Sequence, residues 1–83
     1  MGLFKSRYES QLDAIILRLE MNMSNNYKDN AQDNLRELQE NYNQMMAEGN
    51  LKEKAALNYG RTISQYESQL KGYSHKDQKP YWT

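Results

Sequence analysis

The chain has 83 residues, zero formal net charge and no cysteine, which bounds it to one domain and excludes disulfides and thiolate metal sites. Leu, Ile and Phe, with no Val, supply only 13 of the 83 residues, a share at which disorder becomes a live alternative. Zero net charge removes any drive to expand, however, and seven Tyr and five Met replace part of the missing apolar surface.

A chain this short buries only about 60% of its unfolded surface, so a small fold with little margin is expected, one that self-association or a partner would steady. The first element begins at Ser6. Ser6-Arg7-Tyr8-Glu9 has capping-box form, in which the serine hydroxyl and the glutamate each satisfy a backbone N–H left over at a helix start. Tyr8, Leu12, Ile15 and Leu19 then recur at steps of 4, 3 and 4, an amphipathic helix over about 6–23, and Ile16 and Met23 widen its stripe.

Asn22, Ser24, Asn25, Asn26 and Asn30 follow. Their side chains compete for backbone hydrogen bonds and favour caps and turns, which places a turn near 24–28. A second helix over about 28–48 carries Ala31, Leu35, Leu38, Tyr42 and Met45 on one face. Gly49 ends it, as the residue best suited to the left-handed position after a helix. Asn50-Leu51-Lys52-Glu53 reads as an N-cap with a glutamate three residues on, so a third helix is expected over about 51–71. Its stripe is Ala56, Tyr59, Ile63, Tyr66, Leu70 and Tyr73. Ala56 and Gly60 form a small-residue notch where another helix could approach, and Gly72 is expected to end the element.

The fold expected is all-α, a small antiparallel three-helix bundle over 1–73, with residues 74–83 as a flexible polar tail. One rival uses the same residues. The stripe Leu12, Ile16, Leu19, Met23, Tyr27, Ala31, Leu35, Leu38, Tyr42, Met45 crosses the Asn-rich segment at a nearly helical mean step. A single helix over 6–48 with the third folding back would make a long helical hairpin that dimerises. Asn and Ser propensity favours the bundle.

Charge is uneven: residues 1–50 carry five Lys/Arg against eight Asp/Glu, and residues 51–83 six against three. Mutual attraction between the halves is the simple reading, and a basic C-terminal surface for an acidic partner the sharper one. Ser6-Arg7-Tyr8-Glu9-Ser10-Gln11-Leu12 matches Ser64-Gln65-Tyr66-Glu67-Ser68-Gln69-Leu70 at six of seven positions. A repeat array needs more copies at a fixed period, so a shared Tyr-to-Leu core step explains the match as well as duplication does.

No residues combine into catalytic machinery. The single histidine, His75, lies in the tail, without the pocket and orienting partner a general base needs or the further Cys or His of an ordinary zinc site. Asp29, Asp33 and Glu40 line one helix face and Glu9 and Asp13 pair one turn apart, but the Glu-x-x-His motif of di-metal bundles is missing and an exposed acidic face is the reading. No enzyme activity, cofactor, metal or small-molecule substrate is expected. The basic residues from Lys52 to Lys79 are interrupted by Glu53, Glu67 and Asp77, whereas phosphate contacts need concentrated positive charge, so nucleic acid is not expected as a partner.

Met1-Gly2-Leu3-Phe4-Lys5-Ser6 fits the short N-myristoylation pattern, which would make the chain a membrane-surface adaptor. Packing of Leu3 and Phe4 on the bundle end is the plainer reading. Ala14-Ile15-Ile16-Leu17 is too short to span a bilayer and the first residues lack the apolar stretch of a secretory signal, so a cytoplasmic location is expected.

The strongest functional candidate is a second apolar edge on the first helix. Ala14, Leu17 and Met21 lie about 100° or more from the Leu12/Ile15/Leu19 line, more apolar circumference than one groove requires. They either touch both neighbouring helices or form a face for self-association or a protein partner. Pro80-Tyr81-Trp82 is a candidate aromatic docking motif, or a cover for that face. The function expected is a non-enzymatic helical interaction or structural module. A membrane-surface adaptor and a small regulator of a nucleic-acid-binding protein are the alternatives.

Overall fold

A computed structural model describes residues 6–74, with side chains through Lys71. Three helices form: α1 (Arg7–Ser24), α2 (Lys28–Ala47) and α3 (Glu53–Ser74). The Ser6 hydroxyl accepts from the Glu9 N–H at 3.2 Å, so α1 opens on the serine half of the expected capping box.

The Asn-rich segment is a true helix stop. Asn26 takes a positive φ of 63°; its N–H donates to Met23 O, and the Tyr27 N–H reaches back to Asn22 O at 2.8 Å. These two bonds are the Schellman pattern, which satisfies carbonyls orphaned at a helix C-terminus. Asn tolerates the left-handed region better than other non-glycine residues, so the chain reverses here without glycine. The continuous helix over 6–48 therefore does not form.

Gly49 repeats the motif at the end of α2. Its φ is 71°, its N–H donates to Met46 O, and the Asn50 N–H donates to Met45 O. The third helix departs from expectation at both ends, starting at Glu53 instead of 51 and running to Ser74 through Gly72 instead of stopping at 71. At the start, two residues separate Asn50 from the first turn of α3, and the Asn50 side-chain N–H donates back to the Glu48 carboxylate at 2.9 Å. Lys52 takes the cap position, its carbonyl accepting from the Ala56 N–H at 2.8 Å. At the far end, a mid-helix glycine costs only about 1 kcal/mol against Ala, too little to stop a helix held by neighbouring packing.

Side-chain bonds give the helix directions. Arg18 pairs with Glu37 and Asn22 with Asn34, so α1 and α2 run antiparallel. Gln32 donates to Leu70 O and Gln39 to the Glu67 carboxylate, so α2 and α3 do too. α2 packs closely on both neighbours, giving an up-down-up bundle. Its core comprises Leu12, Ile15, Leu19, Ala31, Leu35, Leu38, Met45, Ile63, Tyr66 and Leu70, all drawn from the periodic stripes. Leu12, Leu19, Leu38 and Leu70 are fully enclosed. Tyr8, Ile16, Met23, Tyr42, Leu51 and Tyr59 pack around this centre.

Candidate functional site

α1 presents two faces. Leu12, Ile15 and Leu19 enter the core, while Leu17 is 60% and Met21 56% exposed, and Ala14 is exposed as well. At about 100° per residue, these three lie on the side of α1 away from Leu12 and Leu19, so neither α2 nor α3 covers them. The charged residues beside the stripe are engaged elsewhere. The Arg18 guanidinium meets the Glu37 carboxylate through two bonds of 3.1–3.2 Å, and the Glu20 carboxylate accepts the Tyr66 hydroxyl. Pro80, Tyr81 and Trp82, along with Gly2, Leu3, Phe4 and His75, lie outside the described residues.

α1 and α3 meet through tyrosines. The Tyr59 hydroxyl donates to Asp13 Oδ1 at 2.7 Å, and Tyr66 donates to Glu20. Desolvation, followed by the hydrogen bond to a carboxylate and that carboxylate's negative charge, drives both phenols well above the usual tyrosine range. Tyr59 and Tyr66 are seven residues apart, as are Asp13 and Glu20, so two matching rungs join parallel helices. That shared spacing was a readable signal, but only once α1 and α3 were known to be neighbours. The Glu9–Asp13 pair, an exposed acidic face by sequence, is drawn into this contact: the Tyr59 hydroxyl also lies 3.4 Å from Glu9 O. Beyond the second rung an open groove remains between α1 and α3, lined by Glu20, Met23, Ser24, Gln65, Tyr66 and Gln69.

The Ala56/Gly60 notch receives a side chain and no helix backbone. The Tyr42 hydroxyl enters it and donates to Ala56 O at 2.7 Å. Leu57 and Met46, which carried no expectation, are 58% and 45% exposed; they fall outside the stripes. The two copies of the Ser-x-Tyr-Glu-Ser-Gln-Leu pattern lie towards opposite ends, since Tyr66 meets Glu20 and not the start of α1, and both final leucines are buried.

Among the described residues no group of three His, Cys, Asp or Glu is placed to hold a metal ion, and no helix is long and apolar enough to cross a membrane. No family model, no curated protein and no solved structure matches this chain.

Proposed function

We propose that this protein is a non-catalytic docking module whose α1 seats its outer face in an apolar groove of a partner protein. The supporting observation is the exposure of Leu17 and Met21 on a helix whose opposite side is fully packed. With Ala14 they fall at i, i+3 and i+7, the anchor spacing by which an amphipathic helix lies in a hydrophobic groove.

Magnitudes favour a partner over a second copy. Complete burial of a Leu or Met side chain is worth about 1.5–3 kcal/mol, so the exposed parts of Leu17 and Met21 are worth roughly half to two-thirds of that each. Two copies pressed stripe to stripe would gain about 3–8 kcal/mol against an association cost of about 4–15 kcal/mol. A concave groove can also enclose Ala14 and the flanks of the stripe, and so removes more area from water than a flat stripe-to-stripe contact does. The cytoplasm is the setting this reading assigns, since a cysteine-free chain has no disulfide to maintain there.

The test is affinity capture from the source cell with the full chain, Leu17→Asp and Leu17→Met, alongside sedimentation of each. The reading expects one partner retained by the parent and by Leu17→Met, and lost with Leu17→Asp at unchanged helical circular dichroism. Identical capture by all three overturns it. A stable dimer at micromolar concentration that Leu17→Asp dissolves would make a second copy the occupant.

A further inference from the structure

We infer that α3 carries a docking site for an acidic, leucine-bearing peptide segment of another protein, centred on the hollow between the Tyr42 ring and Leu57 and anchored by Arg61. The site shares no residue with the α1 stripe and goes beyond the docking role proposed for that stripe. It gives a use to the positive charge of the C-terminal part of the chain, six Lys/Arg against three Asp/Glu over residues 51–83.

The hollow follows from the packing of α2 on α3. Tyr42 reaches across from α2 to Ala56 O at 2.7 Å, and Gly60 places no side chain beside it. Ala56 and Leu57 complete apolar walls around a space of about 470 Å³, within the range of clefts that hold ligands, about 300–1,000 Å³. Leu57 is 58% exposed, so one wall presents its side chain to whatever enters. A second hollow shares Tyr42, Gly60 and Ser64 with the first and extends it towards Gln39 and Glu67. The two form one trough along the α2–α3 seam. A trough open along its length suits a chain laid across it better than an enclosed small molecule.

Charge sets the chemistry of the occupant. Arg61 lines the hollow with Ser64 and Gln65. Its helix neighbours at three and four residues are Leu57, Asn58, Ser64 and Gln65, so no acid stands where a helix could pair it. Lys54 lies seven residues earlier, on the same side of α3, and Leu57 and Asn58 ahead of it are uncharged too. Among the described residues neither base has a carboxylate partner. A guanidinium accepts a carboxylate through two parallel bonds, while the apolar walls beside it receive a leucine side chain. The far end of the trough carries Glu67, which repels an acid and so orients the segment with its carboxylate at Arg61. A second copy suits the site less well. The carboxylates beside its exposed stripe, Asp13 and Glu20, already accept the Tyr59 and Tyr66 hydroxyls.

The test is an amide chemical-shift titration of the isotopically labelled full chain. The probe is the acetylated and amidated peptide Leu-Leu-Glu-Glu, with Leu-Leu-Lys-Lys and Gly-Gly-Glu-Glu as controls. Saturable shifts are expected at the Leu57, Gly60, Arg61 and Ser64 amides with the probe and with neither control, fading as sodium chloride is raised. Arg61→Gln, at an exposed position and with helicity checked by circular dichroism, is expected to weaken binding about threefold to tenfold. Leu17→Asp is expected to leave it unchanged. Absence of saturation at these amides overturns the inference, as does equal binding of either control or an Arg61→Gln protein that binds as the parent does. Shifts centred on Leu17 and Met21 overturn it in favour of the α1 stripe. Shifts at the same amides on concentrating the parent without peptide overturn it in favour of a second copy. Loss of this site would leave the α1 docking role standing, and failure of Leu17-dependent capture would leave this site standing.

Discussion

The hydroxyl oxygen of Tyr42 lies 2.9 Å from where a Cβ on Gly60 would sit. α3 therefore carries glycine at mid-helix for a steric reason: a phenol from α2 occupies the space and donates to Ala56 O. Replacing Gly60 by Ala gains about 1 kcal/mol of helix propensity but displaces a hydrogen bond worth about 0.5–1.5 kcal/mol. Gly60→Ala alone is thus expected to change stability little. In a Tyr42→Phe background the obstructing oxygen is gone, and Gly60→Ala should stabilise by about 1 kcal/mol. Urea denaturation of the four proteins measures this coupling; additive effects would show that the phenol and the glycine are independent.

The Asn26 turn can be tested in the same way. Its φ of 63° costs an ordinary L-residue about 1–2 kcal/mol and glycine nothing comparable. Asn26→Ala should lose about 1 kcal/mol, and Asn26→Gly should be neutral or slightly stabilising. Thermal unfolding followed by circular dichroism distinguishes them. Equal stability of the two variants would mean that the left-handed residue does not hold the reversal.

Tyr59 and Tyr66 make the fold sensitive to alkali. Both phenols are raised above the ordinary tyrosine value of about 10 by desolvation and by their bonds to Asp13 and Glu20. The folded state favours the protonated form, so their contribution is complete below the unfolded pKa and is lost as pH rises towards the folded one. Two tyrosinate equivalents should appear late in an ultraviolet titration, together with the loss of helical signal. Tyr66→Phe should remove one of them and cost about 1 kcal/mol at neutral pH. An unchanged count of late equivalents in that variant would contradict the Tyr66–Glu20 bond.

Neighbouring leucines on α1 should behave oppositely. Leu19 is fully buried and Leu17 is 60% exposed. Leu19→Ala should cost about 2–5 kcal/mol, a large part of the roughly 4–12 kcal/mol available to a domain of this length. Leu17→Ala should fall within about 0.5 kcal/mol of zero. Chemical denaturation of both variants checks the contrast, and comparable losses would place Leu17 in the core.

The helices and their inward faces were legible in the residues themselves. A 3.6-residue period of Leu, Ile, Met and Tyr defines which side of each helix leaves water, and Ser6 and Gly49 act on backbone groups within a few residues of themselves. Even the stripe of Ala14, Leu17 and Met21 stood out, because surplus apolar circumference is a property of a single helix. Asn50 has the composition of a cap but not the place of one, because the chain takes two further residues before α3 begins at Glu53.

Other features belong to pairs of helices. The Asn and Ser residues of 22–30 favour a stop over a continuous helix, but which of them takes the left-handed position, Asn26, is read only from the structure. Tyr42 against Gly60, and Tyr59 and Tyr66 against Asp13 and Glu20, depend on register between segments far apart in sequence. A hydroxyl finds its acceptor only after hydrophobic burial has set that register, and local spacing along one chain segment carries no record of it.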